Sequence, residues 1–400
     1  MLALPIFDAR AALLAKNLAP SGLFVLLAAS IVSAVLGSVH AFSVFITPLE
    51  GMFGASRSEV SLTYSFALIA LTFSVLGGPR LFARVTPVVF MPTVCALAAG
   101  GAIAAGQAGA LWQVWLGYSL VFGAANGLGY GYGLQIAARA NPGREGIAMG
   151  VVTAAYALGS VLSPPAFEIA VDTGGFSAAM NGLAGILVLV GVVSAVLLRF
   201  ARAKTIANVN QSGVGFAPAQ EQFLLWLGYL GGVLAGLMVI GHAAGIASTI
   251  QPNIAVWLAP VTISVCNLVG SLIGGRLIDK APLWVSLSTL PLMTVAGVIA
   301  LVFFGSMAGL LTALGLIGFA YGGTIAAYPA AIARLYGMAN SARVYGRVFT
   351  AWGLAGLIGP WLAGWLYDWN SNYEIALYVA AVSGLISVLA AVLLTKKRAP

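Results

Sequence analysis

The sequence predicts an all-α polytopic membrane protein: twelve transmembrane helices in two pseudo-symmetric six-helix bundles around a central cavity. Three observations predict it. The 400 residues carry only 18 Lys and Arg and 10 Asp and Glu, gathered between long uncharged apolar stretches. Those stretches have the length a bilayer core demands, about 20 residues of helix. The two halves of the chain also repeat one another at an offset of about 200 residues. A mean hydropathy of +1.02 agrees, and no water-soluble chain of this length could leave so much of itself uncharged.

Residues 22–46 have no formal charge and one His, and form the first span; residues 61–79 form the second. Residues 85–138 are uncharged throughout and too long for one crossing, so they divide into two helices turning at 106–109. Residues 146–167 and 173–198 are spans five and six. After the polar segment 199–221, residues 222–275 are again of double length, broken at Gln251-Pro252-Asn253, where proline cannot continue a helix. Residues 281–333 make a third double length turning at 305–309, and residues 348–367 and 375–395 complete the twelve. The expected organisation is an N-terminal segment 1–21, a bundle 22–198, a linker 199–221, a second bundle 222–395 and a basic tail 396–400.

Orientation follows from the Lys/Arg bias of the short loops. With an even number of spans, one side holds Arg10, Lys16, Arg80, Arg84, Arg139, Arg144, Arg199, Arg202, Lys204, Arg276, Lys280, Arg334, Arg343, Arg347 and the tail. The other side holds Arg57 alone among basic residues, with Glu50, Glu59, Glu168, Asp172, Asp368 and Glu374. Both termini are therefore expected in the cytoplasm, with the protein in the plasma (inner) membrane. The net charge of +8 suits the anionic inner leaflet and implies no nucleic-acid partner. Residues 1–19 read as a short interfacial helix rather than a cleaved signal, since no A-x-A-like site precedes span one. Cys95 and Cys266 fall inside apolar spans and read as packing residues.

The repeat is visible residue by residue. Gly150/Gly346, Ala155/Ala351, Leu158/Leu354 and Pro164/Pro360 are identical pairs at an offset of 196, and Gly37/Gly241 and Pro48/Pro252 share an offset of 204. Spans two and eight end in Gly77-Gly78-Pro79-Arg80-Leu81 and Gly274-Gly275-Arg276-Leu277. Six-helix halves repeated this way imply an axis along the membrane normal, with a cavity between the halves.

These residues carry a resemblance. The run Gly-Arg-Leu-Ile-Asp-Lys at 275–280 resembles the loop motif of the major facilitator superfamily. Ala-Phe-Ser-Val-Phe-Ile-Thr-Pro-Leu at 41–49 and Ser-Arg-Ser-Glu-Val at 56–60 resemble its oxalate/formate antiporter and monocarboxylate transporter branch. So do the stretches 127–133, 144–150, 321–329 and 344–353 followed by Gly359-Pro360. The resemblance implies a carrier fold with gating loops at Arg80 and Arg84 and at Gly275, Arg276, Asp279 and Lys280. Two departures matter. The family's loop Asp would fall at Ala83 in the first half, while the second half keeps Asp279. Carboxylate carriers of the branch show Asn-x-x-Gly-Arg in span eight, which here reads Asn267-Leu-Val-Gly-Ser271, and span eleven has no basic residue.

No Asp, Glu, Lys or Arg lies deep in any span, so the candidates are neutral. His40 in span one and His242 in span seven are the deep titratable side chains whose ordinary pKa suits protonation near neutrality, and they are the candidates for proton coupling. Asn126, Tyr130 and Gln135 lie on span four; Asn267 and Ser271 share a face of span eight at i, i+4. Tyr321, Thr324 and Tyr328 make one stripe on span ten, and Trp352 lies on span eleven. Such a stripe more often glues helices together than binds a solute; the resemblance places Tyr321 and Trp352 toward the cavity. The expected solute site is His40, Tyr130, Asn267, Ser271, Tyr321 and Trp352. The glycine run of span four reads as helix packing and bending, not a nucleotide loop, because no Lys-Ser/Thr follows it.

The resulting expectation is a secondary transporter, working as a monomer by alternating access and without a cofactor. Its partners are a small-molecule solute, the bilayer and protons as the candidate coupling ion. The resemblance implies a small organic anion such as a monocarboxylate; Ser271 in place of the family Arg leaves a neutral or drug-like solute as the alternative. An enzyme would need paired carboxylates, a metal cluster or a nucleophile–base pair in the spans, and two separated histidines do not supply one. Short loops disfavour a signalling scaffold, and Gly-rich repeated halves favour a rocking carrier over a passive channel.

Overall fold

The computed structural model describes residues 20–82, 84–203 and 218–396, and among them every regular element is helical. The N-terminal segment 1–19, most of the linker (204–217) and the end of the tail (397–400) lie outside the described residues. The first bundle comprises α1 (Ser21–Phe53), α2 (Arg57–Gly77), α3 (Pro87–Gly106), α4 (111–140), α5 (145–173) and α6 (176–200). The second comprises α7 (219–250), α8 (Leu258–Lys280), α9 (Leu283–Phe303), α10 (Met307–Tyr336), α11 (Met338–Asn370) and α12 (Glu374–Lys396). Twelve crossings bring residues 20 and 396 to the same face; the opposite one is called the remote face below.

Several boundaries differ from expectation; α1, for instance, runs on to Phe53 rather than ending at 46. Helix α5 does not end at 167: Pro164 and Pro165 are accommodated inside it, and the chain turns at Gly174-Gly175, where Gly175 has φ +71°. Only glycine reaches that left-handed backbone freely, so the reversal falls there. Helix α11 begins at Met338 rather than at 348, its first turns being the charged residues that a hydropathy reading discards.

Three helices are interrupted. In α1, residues Gly37–Phe45 wind as a tighter 3-10 stretch, and at its edge the buried Asn126 Nδ2 donates to Leu36 O at 2.6 Å. A side chain inserted into the backbone ladder is a recognised source of such irregularity. In α4, Trp115–Phe122 is π-helical. In α7, Ala219–Gly241 and Ala243–Ile250 join at His242, whose φ −120° and ψ 16° lie outside the helix.

Lipid offers no hydrophobic drive between helices, so close approach through small residues carries the packing. The contact of α1 with α5 is reciprocal: a Cβ on Gly37 would strike the Tyr156 carbonyl, and one on Gly159 would strike the Ala34 carbonyl. Between the bundles, α2 packs on α11 and α5 on α8. These crossings enclose the space that the site occupies.

Candidate functional site

Between the bundles lies an open cavity of about 1010 Å³, mouth included. The first bundle contributes His40, Tyr130, Thr153, Tyr156 and Ser160 to its wall. The second contributes Asn267, Ser271, Tyr321, Tyr345, Phe349 and Trp352. All six residues singled out in the sequence as a solute site therefore border one space, supplied by α1, α4, α8, α10 and α11. Among the described residues its lining contains no Lys, Arg, Asp or Glu.

The hydrogen-bond directions give the wall a polarity. Trp352 Nε1 is a donor only and lies 3.0 Å from Tyr321 Oη. The phenol oxygen accepts, and its own proton is left for the cavity. Ser271 Oγ donates to Asn267 Oδ1 at 3.3 Å, which leaves the amide's NH2 as donor. His40 Nδ1 stands 2.7 Å from Tyr64 Oη. Tyr64 is buried, its ring stacked on Phe42 at 5.7 Å, and its proton has no other partner among the described residues. In the neutral ring Nδ1 then accepts from Tyr64, and Nε2–H is the remaining donor. Three donors from two bundles thus border the cavity.

A second layer fixes the aromatic wall. Tyr156 Oη donates to Asn126 Oδ1 at 3.1 Å, so one amide braces the α1 interruption and holds a cavity tyrosine. Tyr130 Oη and Thr153 Oγ1 are 3.2 Å apart, the Tyr130 and Tyr156 rings 4.6 Å apart. Phe349 lies flat on Trp352, with centroids 5.5 Å apart and planes 4° from parallel.

Other sequence candidates lie elsewhere. His242 is fully buried away from this cavity. Its Nε2 donates to Pro360 O at 2.8 Å, and its Nδ1 is 3.1 Å from Tyr373 Oη. Proline interrupts the α11 ladder, and side chains collect the backbone there: Trp361 N donates to Ser65 Oγ at 3.2 Å. His242 is thus a satisfied structural imidazole with both nitrogens engaged. Of the polar stripe on α10, Tyr321 borders the cavity and Thr324 and Tyr328 do not. Thr324 bonds Ala320 O at 2.8 Å, and Tyr328 packs on Tyr229 at 4.6 Å, the helix-glue role. Gln135 is not in the wall.

The sequence reading missed Thr153, Tyr156 and Ser160 on α5 and Tyr345 and Phe349 on α11. Both sets recur at helical spacing, i, i+3, i+7 and i, i+4 before Trp352, which marks a single face. Of the gating-loop residues, Arg84 and Lys280 are exposed. The side chains of Arg80, Ala83, Arg276 and Asp279, with Gly275, lie outside the described ones. Beside them Arg334 Nη1 donates to Ile278 O at 2.5 Å and Ala281 O at 3.2 Å, collecting the last carbonyls of α8.

A family model described as Major Facilitator Superfamily matches residues 18–346 and, in a second match, 242–400. The chain is 26% identical over 341 residues to the uncharacterized MFS-type transporter YhjX of Escherichia coli (strain K12), covering 80% of this chain and 82% of that one. It is 22% identical over 382 residues to the oxalate:formate antiporter of Oxalobacter formigenes, covering 91% and 89%. A shorter match, 32% identical over 136 residues, is to monocarboxylate transporter 9 of Pongo abelii, covering 32% and 26%. In fold, the chain is similar to a bacterial homolog of the human lysosomal transporter Spinster in an inward-facing and occupied conformation. The TM-score is 0.74 and the identity 15%, over 94% of this chain and 97% of that one.

Proposed function

Because this chain belongs to the major facilitator superfamily, we propose that it is a secondary active transporter working by alternating access, with a small organic anion such as a monocarboxylate as its solute. The observation that carries the solute class is the polarity of the cavity. Unengaged donors on His40, Asn267 and Tyr321 face a space without a fixed charge, and a carboxylate is acceptor-only. The oxalate:formate antiporter and the monocarboxylate transporters among the relatives support the same class.

Residues 22–198 and 222–395 rock as two bodies, tethered by 199–221, and a single chain is the working unit. The proposed location is the plasma (inner) membrane with both termini cytoplasmic, a reading supported by the basic residues on the face of the termini, Arg139, Arg144, Arg199 and Arg334 among them. A proton on His40, the titratable imidazole in the wall, would offset the charge of a carboxylate in a site without a fixed cation, so protons are the proposed coupling ion.

One observation favours a second reading, a neutral or drug-like solute. Leu71, Val75, Leu134, Ile325 and Phe349 make much of the wall apolar, as in the mostly apolar pockets that hold drug-sized ligands. Uptake by proteoliposomes of labelled monocarboxylates and of their amide analogues, with and without a pH gradient, separates the two. The leading reading expects saturable carboxylate uptake that rises with the gradient. Amide uptake without carboxylate uptake would overturn it.

A further inference from the structure

The hydrogen bonds described between the two bundles gather toward the remote face, and the outermost of them share one chemistry. Helix α2 opens with a capping box: Ser56 Oγ accepts from Glu59 N at 3.3 Å and Ser56 N donates to Glu59 Oε2 at 2.9 Å. That leaves the amides of Arg57 and Ser58 without a partner in their own helix. Asp368, at the end of α11, takes both: Oδ1 accepts from Arg57 N at 2.9 Å and Oδ2 from Ser58 N at 2.8 Å. The second instance runs in the opposite sense. Glu168, near the end of α5, accepts from Val256 N at 3.2 Å and Trp257 N at 3.0 Å, just ahead of α8. Each bundle thus lends one carboxylate to the start of a helix in the other.

The two carboxylates stand 200 residues apart, but the repeat counterpart of Glu168, at an offset of 196, is Gly364. The reason is steric. A Cβ on Gly364 would lie 2.8 Å from Ser61 Oγ and 3.0 Å from Ser58 Cα, so α11 touches α2 where a glutamate has no room. The carboxylate comes instead from the next helical turn. The Arg57 side chain does not compete for Asp368, being bound to Glu50 at 2.6 and 2.8 Å and laid over Tyr367 at 4.0 Å.

We infer that Asp368 and Glu168 are a reciprocal pair of latches that hold the remote face closed and set the balance between the two facing states, a role that rests on the alternating-access reading. A rocking motion that opens this face must draw each carboxylate off two amides at a helix start, where partial positive charge strengthens the bond. Neutral side chains of the same shape keep the contact but lose its charge. Glu168 is half-buried and Asp368 exposed, so the Glu168 latch is the less screened by salt.

The test uses the full chain in lipid nanodiscs with Cys95 and Cys266 replaced by Ala and spin labels on Gln107→Cys and Met307→Cys, both at the remote face. Pulsed dipolar spectroscopy without solute reads the distance between the bundles, so its outcome is independent of whether the solute has been identified correctly. The parent protein is expected to show mainly the short distance. Glu168→Gln and Asp368→Asn are each expected to raise the long-to-short ratio roughly two- to fivefold, the typical range for a charge at a helix terminus. The double variant is expected to approach the product of the two. A folded double variant with the parent's distribution overturns the inference. If the double variant does not fold, Glu168→Gln is compared with Glu168→Asp, which keeps the charge. The same distribution from both overturns it as well; a longer distance only in the neutral variant supports it.

Discussion

Trp352 Nε1 donates to Tyr321 Oη across 3.0 Å, which joins α11 to α10 at the cavity wall and aims the phenol proton at whatever the cavity holds. Trp352→Phe keeps the stack on Phe349 but leaves the phenol oxygen short of its donor. A net hydrogen bond is worth about 0.5–1.5 kcal/mol, so half-saturation for uptake is expected to rise roughly two- to tenfold. Tyr321→Phe should cost at least as much, and the double variant less than the product of the singles, because one pair is removed in each case. Independent effects in uptake kinetics would show that the bond does not set the site.

The two histidines should separate cleanly. His40→Gln retains a donor but cannot titrate, so uptake should persist with a flattened pH profile, whereas His40→Ala should lose rate as well. His242→Leu removes the donor to Pro360 O and one of the two partners of Tyr373 Oη and should lower thermal stability by about 1–3 kcal/mol. A pH profile that changes in the His242 variant and not in the His40 variants would reverse the assignment.

Ser271→Arg tests the solute's charge. With a carboxylate solute, the new cation should raise affinity or slow release through charge-assisted bonds. With a neutral solute, an unpaired buried charge, costing about 3–5 kcal/mol, should abolish uptake. Binding measured beside transport distinguishes tight retention from loss.

The close approach of α1 and α5 predicts a stability contrast. Gly37→Ala and Gly159→Ala each drive a methyl into a facing carbonyl, and overpacking of this kind costs about 1–3 kcal/mol. Gly150→Ala meets nothing within 4 Å and should melt like the parent. Equal melting of all three in detergent would place the helices farther apart than described.

Asp279→Asn should reduce transport more than it reduces folding, if the junction of α8 and α9, where Asp279 sits in the last turn of α8, gates the face of the termini. Normal uptake together with a normal melting profile would leave the motif without a role in this chain.

The sequence by itself determined the spans, because the length and charge of an apolar run are local properties that the bilayer reads directly. It also determined the twofold plan and the six neutral residues bordering the cavity, since Asn267, Ser271 and Tyr321 are conspicuous polar groups in apolar helices. Helical spacing marks Tyr156 and Tyr345 too, since each shares a helix face with other residues of the cavity wall. Other facts only the tertiary structure decided. Nothing local separates His40 from His242; one borders an open cavity, while the other donates to the Pro360 carbonyl of a different helix. Likewise Glu168 and Asp368 read as ordinary loop acids until the packing of α5 against α8 and α2 against α11 sets each beside unpartnered amides. Which polar groups remain free depends on which have been taken, and in this chain the takers come from helices distant in sequence.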